Sequence, residues 1–158
     1  MNTKEEFDIR RKIKILADNL NLLMTVQNVS LKDDYMAKYW ADTGLKIVLS
    51  KNNTTHVVLI IMTEVFPEVQ EQFKAEAQYV PGSSLNLCYL PVVSFEGEER
   101  GRATKLIGTL SELVKENLLS SFIIIEDRSE EWFDEEGKGH SVWTHIFDKF
   151  SNLTPYYM

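Results

Sequence analysis

Apolar residues recur at three- and four-residue spacing through Ile13, Leu16, Leu20, Leu23 and Met24, which predicts a helix over 13–26. Phe7 to Arg10, just ahead of it, reads as a short strand. Leu31 to Asp42 reads as a second, shorter helix with Met36, Tyr39 and Trp40 on one side. The clearest local signal follows. Leu45–Ser50 and His56–Phe66 are rich in Val and Ile, and the polar run 51–55 separates them, which predicts a β-hairpin. Val57 to Met62 is apolar at every position, as in a strand covered on both faces.

Pro67 to Tyr79 predicts a helix with Pro67 at its start and Val69, Phe73 and Ala77 on one face. Pro81-Gly82-Ser83-Ser84 breaks the chain, and Leu85 to Val93 is a further strand. Ala103 to Leu119 carries the stripe Leu106, Ile107, Leu110, Leu113 and Val114 of a strong helix. Phe122 to Ile125 is a short apolar strand. Ser141 to Phe150 is a last helix with Val142, Trp143, Ile146 and Phe150 inward. The strand–helix–strand unit from Leu85 to Ile125 implies a right-handed crossover between parallel strands. The pattern predicts an α/β (mixed α+β) chain: one domain over 1–158, with a mixed central sheet flanked by helices. No repeat, low-complexity tract or linker divides it.

Composition narrows the function classes. A net charge of -7 argues against broad nucleic-acid binding, which needs a basic face to displace counterions. No apolar run is long enough to span a bilayer. The single cysteine, Cys88, lies in an apolar run and reads as a buried thiol. With no signal-like stretch at the start, the expectation is a cytoplasmic protein without membrane attachment. No metal site is expected: His140 and His145 are five residues apart, and the acidic run 126–136 lacks the pattern of a calcium loop.

Against this acidic background, Arg100, Arg102 and Lys105 stand together where a strand gives way to a long helix. Unpaired N–H groups at a helix start carry the positive end of its dipole and can hold phosphate oxygens. Gly101 would let a backbone approach closely, and Arg102 and Lys105 add charge. A solvated turn that joins strand to helix is the competing reading of the same residues.

Arg100-Gly101-Arg102-Ala103-Thr104-Lys105, followed by an apolar helix and then Phe122-Ile123-Ile124-Ile125-Glu126, resembles the core of the GNAT superfamily of acyl-CoA-dependent N-acyltransferases. Within that superfamily, the runs 82–88 and 133–143 look a little like arginine N-succinyltransferases. The resemblance implies that the loop binds the pyrophosphate of acetyl-CoA or another acyl-CoA. It implies transfer of the acyl group to an amine substrate. It also implies that Phe7–Arg10 is the opening strand and that the hairpin at 45–66 takes the place of the second and third strands. The loop departs from the family pattern: Ala103 and Lys105 stand at the glycine positions, or Glu98 at the first position, depending on the alignment. The chain ends soon after its last helix, so the family's final strand pair is expected to be short or missing. A second copy, in a homodimer, is one way to complete the sheet.

Acyl transfer to an amine needs a base for the amine and an acid for the thiolate. Glu64, near the end of an apolar strand, is the candidate base, and His145 on the last helix the candidate acid. Solvent exposure is the competing reading of each. Tyr89 reads as core, and His56 as an exposed strand-end imidazole. The alternative function is a catalytically inactive protein-binding module on the same scaffold, engaging a basic partner protein through the acidic surface 126–136. Trp132 and Phe133 inside that run fit an interaction surface.

Overall fold

The computed structural model describes residues 1–76, 81, 85–95, 100–126, 132–133, 139–140 and 142–158, with only the backbone described for 100, 132, 133, 139, 140 and 142. The first element is a helix, α1 (Thr3–Asn19), which absorbs the expected strand at Phe7–Arg10. Its start is set by Asn2, whose side chain accepts from the Glu5 N–H at 2.8 Å, with Glu5 and Glu6 in the first turn. Ile9, Ile13, Leu16 and Ala17 then form one buried stripe, while Phe7 points out. The helix ends well before the predicted Val26. Asn21 adopts φ 56°, the Leu22 N–H reaches back to the Ala17 carbonyl, and the Asn21 N–H to that of Asp18. This is the Schellman arrangement, with asparagine in the left-handed position.

The chain then enters β1 (Leu23–Ser30). The expected second helix is only a 3-10 turn at Ala37–Tyr39. Asp34 diverts it: its carboxylate accepts from the N–H groups of Met36 and Ala37 at 3.0 and 2.8 Å, a local alternative to helix propagation. The hairpin follows as β2 (Thr43–Lys51) and β3 (Thr54–Met62): the first strand is longer than predicted, the second starts earlier and ends before the predicted Phe66, and the turn is tighter. Asn52 and Asn53 both have positive φ (52° and 63°), and Lys51 faces Thr54, as a two-residue type I′ turn requires.

Next come α2 (Pro67–Lys74), β4 (Leu87–Val93), α3 (Arg100–Lys115) and β5 (Phe122–Ile125). A two-residue ribbon, β6 (Trp132–Phe133) and β7 (Gly139–His140), precedes α4 (Val142–Phe147) and a final strand, β8 (Thr154–Tyr157). α3 closes like α1, with Asn117 at φ 58° and the Leu118 N–H on the Leu113 carbonyl.

Six strands form one mixed sheet in the order β1-β2-β3-β4-β5-β8. β1 to β4 are antiparallel, and β4, β5 and β8 run parallel. Beyond β5, where the sheet is expected to end short or without its final strand pair, one four-residue strand, β8, pairs with β5 from Phe122–Thr154 to Ile125–Tyr157. One face of the sheet packs on α1, α3 and α4 through Ile47, Leu59, Cys88, Leu90 and Ile123. The other face, with Ile60, Tyr89, Phe122 and Ile124, is covered by α2 and by the 31–42 connection. Both faces of β3 from Val57 to Met62, and of β5, are therefore buried, as these unbroken apolar runs require. Among the described residues no helix is long and apolar enough to cross a membrane.

Candidate functional site

The carboxyl end of the parallel strands is where an open α/β sheet offers a crevice to ligands. Three features of this chain meet there. The first is a gap in strand length. The β4–β5 pairing ends at Leu90–Ile125, whereas β4 continues to Val93. At this point β4 is bulged: Leu90 and Pro91 together face Leu59 of β3. The bulge accommodates Pro91, which has no N–H to give to a ladder.

The second feature is the start of α3. Of the predicted cofactor residues, Ala103 is buried against the core, Arg102 and Thr104 are half-buried, and Gly101 and Lys105 are exposed. A Cβ on Gly101 would meet nothing within 4 Å, so packing among the described residues does not demand glycine there. The side chain of Arg100, and residues 96–99 with Glu98, lie outside the described residues. Lys105 faces a cleft of about 540 Å³ between α1 and α3, together with Arg11, Lys12, Gly108 and Lys115. Lys12 is tied across that cleft to Glu112 and Glu116 at 3.0 and 3.1 Å, and these bonds raise its pKa.

The third feature lies on the opposite face, and sequence patterning does not single it out. Glu126, one residue beyond β5, accepts hydrogen bonds on one carboxylate oxygen from the hydroxyls of both Tyr89 (2.7 Å) and Tyr35. Its backbone N–H bonds to the Leu90 carbonyl. Alternation along β5 sends Phe122, Ile124 and Glu126 to one face, so the carboxylate emerges beside Tyr89 of β4. Trp40 stands edge-on to the Tyr89 ring, with centroids 5.5 Å apart. The Trp40 carbonyl accepts from the Phe66 N–H, which pins the connection carrying Tyr35 to the corner after β3. Tyr89 is fully buried, and burial, then the bond to Glu126, push its phenol far above the usual range. It therefore remains a neutral donor. Tyr35 is 60% exposed, and with Met36, Glu126 and Met158 it lines a small hollow of about 160 Å³. A carboxylate with one buried and one open hydroxyl can take, hold and return a proton.

The two predicted catalytic residues are not brought to this place. Glu64 lies beyond the end of β3 and is exposed. Met62, two residues earlier, pairs with Leu87 at the opposite end of β4 from Val93. A seven-residue strand, about 20 Å long, therefore separates it from the loop. His145 is exposed on α4, whose Trp143, Ile146 and Phe147 face the core. His56, expected as an exposed strand-end residue, is instead half-buried at the carboxyl end of β4. Its Nδ1 lies 2.9 Å from the Ser94 carbonyl oxygen, and its ring stacks on Phe95. Cys88 is fully buried, and desolvation pushes its thiol up to about 12, so it is no nucleophile. Asn86 donates to the Leu118 carbonyl at 3.0 Å, which gives it a structural role. Most of the run 126–136, and Gly82 to Ser84, lie outside the described residues. Among the described residues no group of three His, Cys, Asp or Glu side chains is placed to hold a metal ion.

No family model, curated protein or solved structure matches this chain.

Proposed function

We propose that the chain is an N-acyltransferase that moves an acyl group from an acyl-CoA to an amine, on a GNAT-like sheet. The observation that carries the reading is the carboxyl end of β4. There a bulged strand outruns its parallel neighbour, a helix with Arg102 and Lys105 in its first two turns begins, and a carboxylate hub stands just past the neighbouring strand. The pyrophosphate would lie at the start of α3, and the thioester would reach past the end of β5 toward Glu126.

In this reading Glu126 and Tyr35 replace Glu64 and His145 as base and acid. The amine nitrogen attacks the thioester carbonyl carbon, and the carbon–sulfur bond breaks. The proton lost by nitrogen passes to the Glu126 carboxylate. The Tyr35 hydroxyl gives its proton to the departing thiolate and recovers one from Glu126 along the hydrogen bond that joins them. Tyr89, buried and neutral, holds the carboxylate in place. The negative charge on Glu126 also favours a cationic amine as acceptor. Calorimetric titration with acetyl-CoA, succinyl-CoA and free coenzyme A tests the donor half of this reading. Absence of binding to all three would leave the protein-binding module as the function.

A further inference from the structure

A helix steadies its surface cations with carboxylates one turn away. α1 does this outside the cleft it shares with α3: Arg10 pairs with Glu6, and Lys14 with Asp18. The cations that line the cleft are placed differently. Four residues to either side of Arg11 stand Phe7 and Ile15. Around Lys105 these positions hold Gly101 and Thr109, and around Lys115 Ser111 and Leu119. None of the six can neutralise a charge. Asp8, three residues before Arg11, makes no ion pair with it. The carboxylate that lines the cleft, Glu112, is engaged together with Glu116 by Lys12, at 3.0 and 3.1 Å. Among the described residues, Arg11, Lys105 and Lys115 therefore have no ion-pair partner.

Single unpaired lysines are ordinary on a protein surface. Three unpaired cations from two helices, facing one cleft of about 540 Å³, repel one another, although the chain has 24 Asp and Glu residues against 17 Lys and Arg. An anion in the cleft relieves that repulsion. The spacing of the cations sets its form. Lys12, next to Arg11, reaches Glu112 and Glu116 on either side of Lys115, so Arg11 and Lys115 share one end of the cleft. Lys105 lies ten residues earlier, about 15 Å along the axis of α3. A single phosphate does not span that distance, whereas a chain of phosphates met by long side chains from both ends does. We propose that this cleft binds a small molecule carrying several phosphate groups in series, one end held by Arg11 and Lys115 and the other by Lys105. The volume is that of a small-molecule site, and Leu16 and Phe150 give it an apolar wall. Lys115 stands at the opposite end of α3 from Arg100, so the site does not require acyl-CoA to bind at the start of that helix.

Calorimetric titration of the full chain with inorganic tripolyphosphate, in the absence of divalent cations, tests this. Tripolyphosphate should saturate a single site per chain, and orthophosphate, which cannot span the cleft, should bind far more weakly. Arg11→Gln/Lys115→Gln should weaken tripolyphosphate binding by about tenfold or more, the usual effect of losing a charge-assisted contact. Both residues are exposed, so this variant should keep the wild-type melting temperature and far-UV circular dichroism. Lys32→Gln/Lys51→Gln removes the same charge from exposed positions outside the cleft and should bind as the wild type does. Arg100→Ala/Arg102→Ala should do the same, because the start of α3 is a different place. No binding by the wild type overturns the proposal. So does a loss in the Lys32/Lys51 or the Arg100/Arg102 variant as large as that in the Arg11/Lys115 variant.

Discussion

The Tyr89 hydroxyl donates to the Glu126 carboxylate across 2.7 Å, joining the middle of β4 to the first residue after β5. This bond stabilises the end of the sheet where the proposed site lies. Its two partners respond differently to removal. Tyr89→Phe removes one donor and leaves Glu126 with Tyr35, a loss of about 1–3 kcal/mol for a bond to a charged group. Glu126→Leu leaves the buried Tyr89 hydroxyl without this acceptor. It should therefore be the more destabilising of the two in urea unfolding. Equal or reversed costs would mean that the hub does not hold this corner.

Tyr35→Phe tests the chemistry rather than the fold. Tyr35 is exposed, so its hydroxyl contributes little to stability. The variant should keep the wild-type melting temperature and acyl-CoA affinity. Acyl transfer should slow by about 10²–10⁴-fold, the usual contribution of a positioned acid. An unchanged rate would remove Tyr35 from the mechanism.

Stability should fall as the solution becomes alkaline. Cys88 and Tyr89 both have pKa values raised in the folded chain, chiefly by burial. A raised folded pKa gives stability that is full below the unfolded pKa and is lost as pH rises through the folded one. For Cys88 the window runs from 9.0 to about 12, and for Tyr89 it opens at 10.0. Melting temperatures measured from pH 8 upward should decline beyond pH 9. Cys88→Ala should make the decline shallower, and an identical slope in that variant would contradict the assignment.

Gly44 faces Val29 in the β1–β2 ladder, and a methyl group there would come within 2.7 Å of Ile60 Cγ2 and 3.3 Å of the Ile61 carbonyl oxygen. Ile60 is buried and branched at Cβ, so its Cγ2 has little freedom to turn aside, and the Ile61 carbonyl belongs to β3 and cannot move alone. Gly44→Ala should cost about 1–3 kcal/mol, as other overpacked sites do. A neutral result in chemical denaturation would show that β2 shifts freely over the 31–42 connection.

What the sequence discloses follows from where each signal resides. Val57–Met62 and Phe122–Ile125 are legible because a strand buried on both faces must be apolar throughout. The α3 stripe is legible because Leu106, Ile107, Leu110 and Leu113 all face one core. The differences at the amino end share one cause. Phe7-Asp8-Ile9-Arg10 alternates like a strand over four residues, but the cap at Asn2 and the longer run Ile9, Ile13, Leu16 and Ala17 outweigh it. Single asparagines, Asn21 and Asn117, end helices through positive φ, which hydrophobic spacing does not register. The hub stays hidden for a different reason. Tyr35, Tyr89 and Glu126 are far apart in the chain and meet only once β4 and β5 pair. The available clue is a carboxylate directly after a fully apolar strand, in phase with the face that carries Tyr89.

The acyltransferase reading stands or falls on calorimetric titration of the protein with acetyl-CoA, succinyl-CoA and free coenzyme A, repeated on the Arg100→Ala/Arg102→Ala variant. Saturable binding is expected in the wild type, weakened in the variant by about 1–3 kcal/mol for each charge-assisted hydrogen bond removed. Binding of equal strength in the variant would rule out the placement of the coenzyme at the start of α3, and no binding by the wild type would overturn the acyltransferase reading itself.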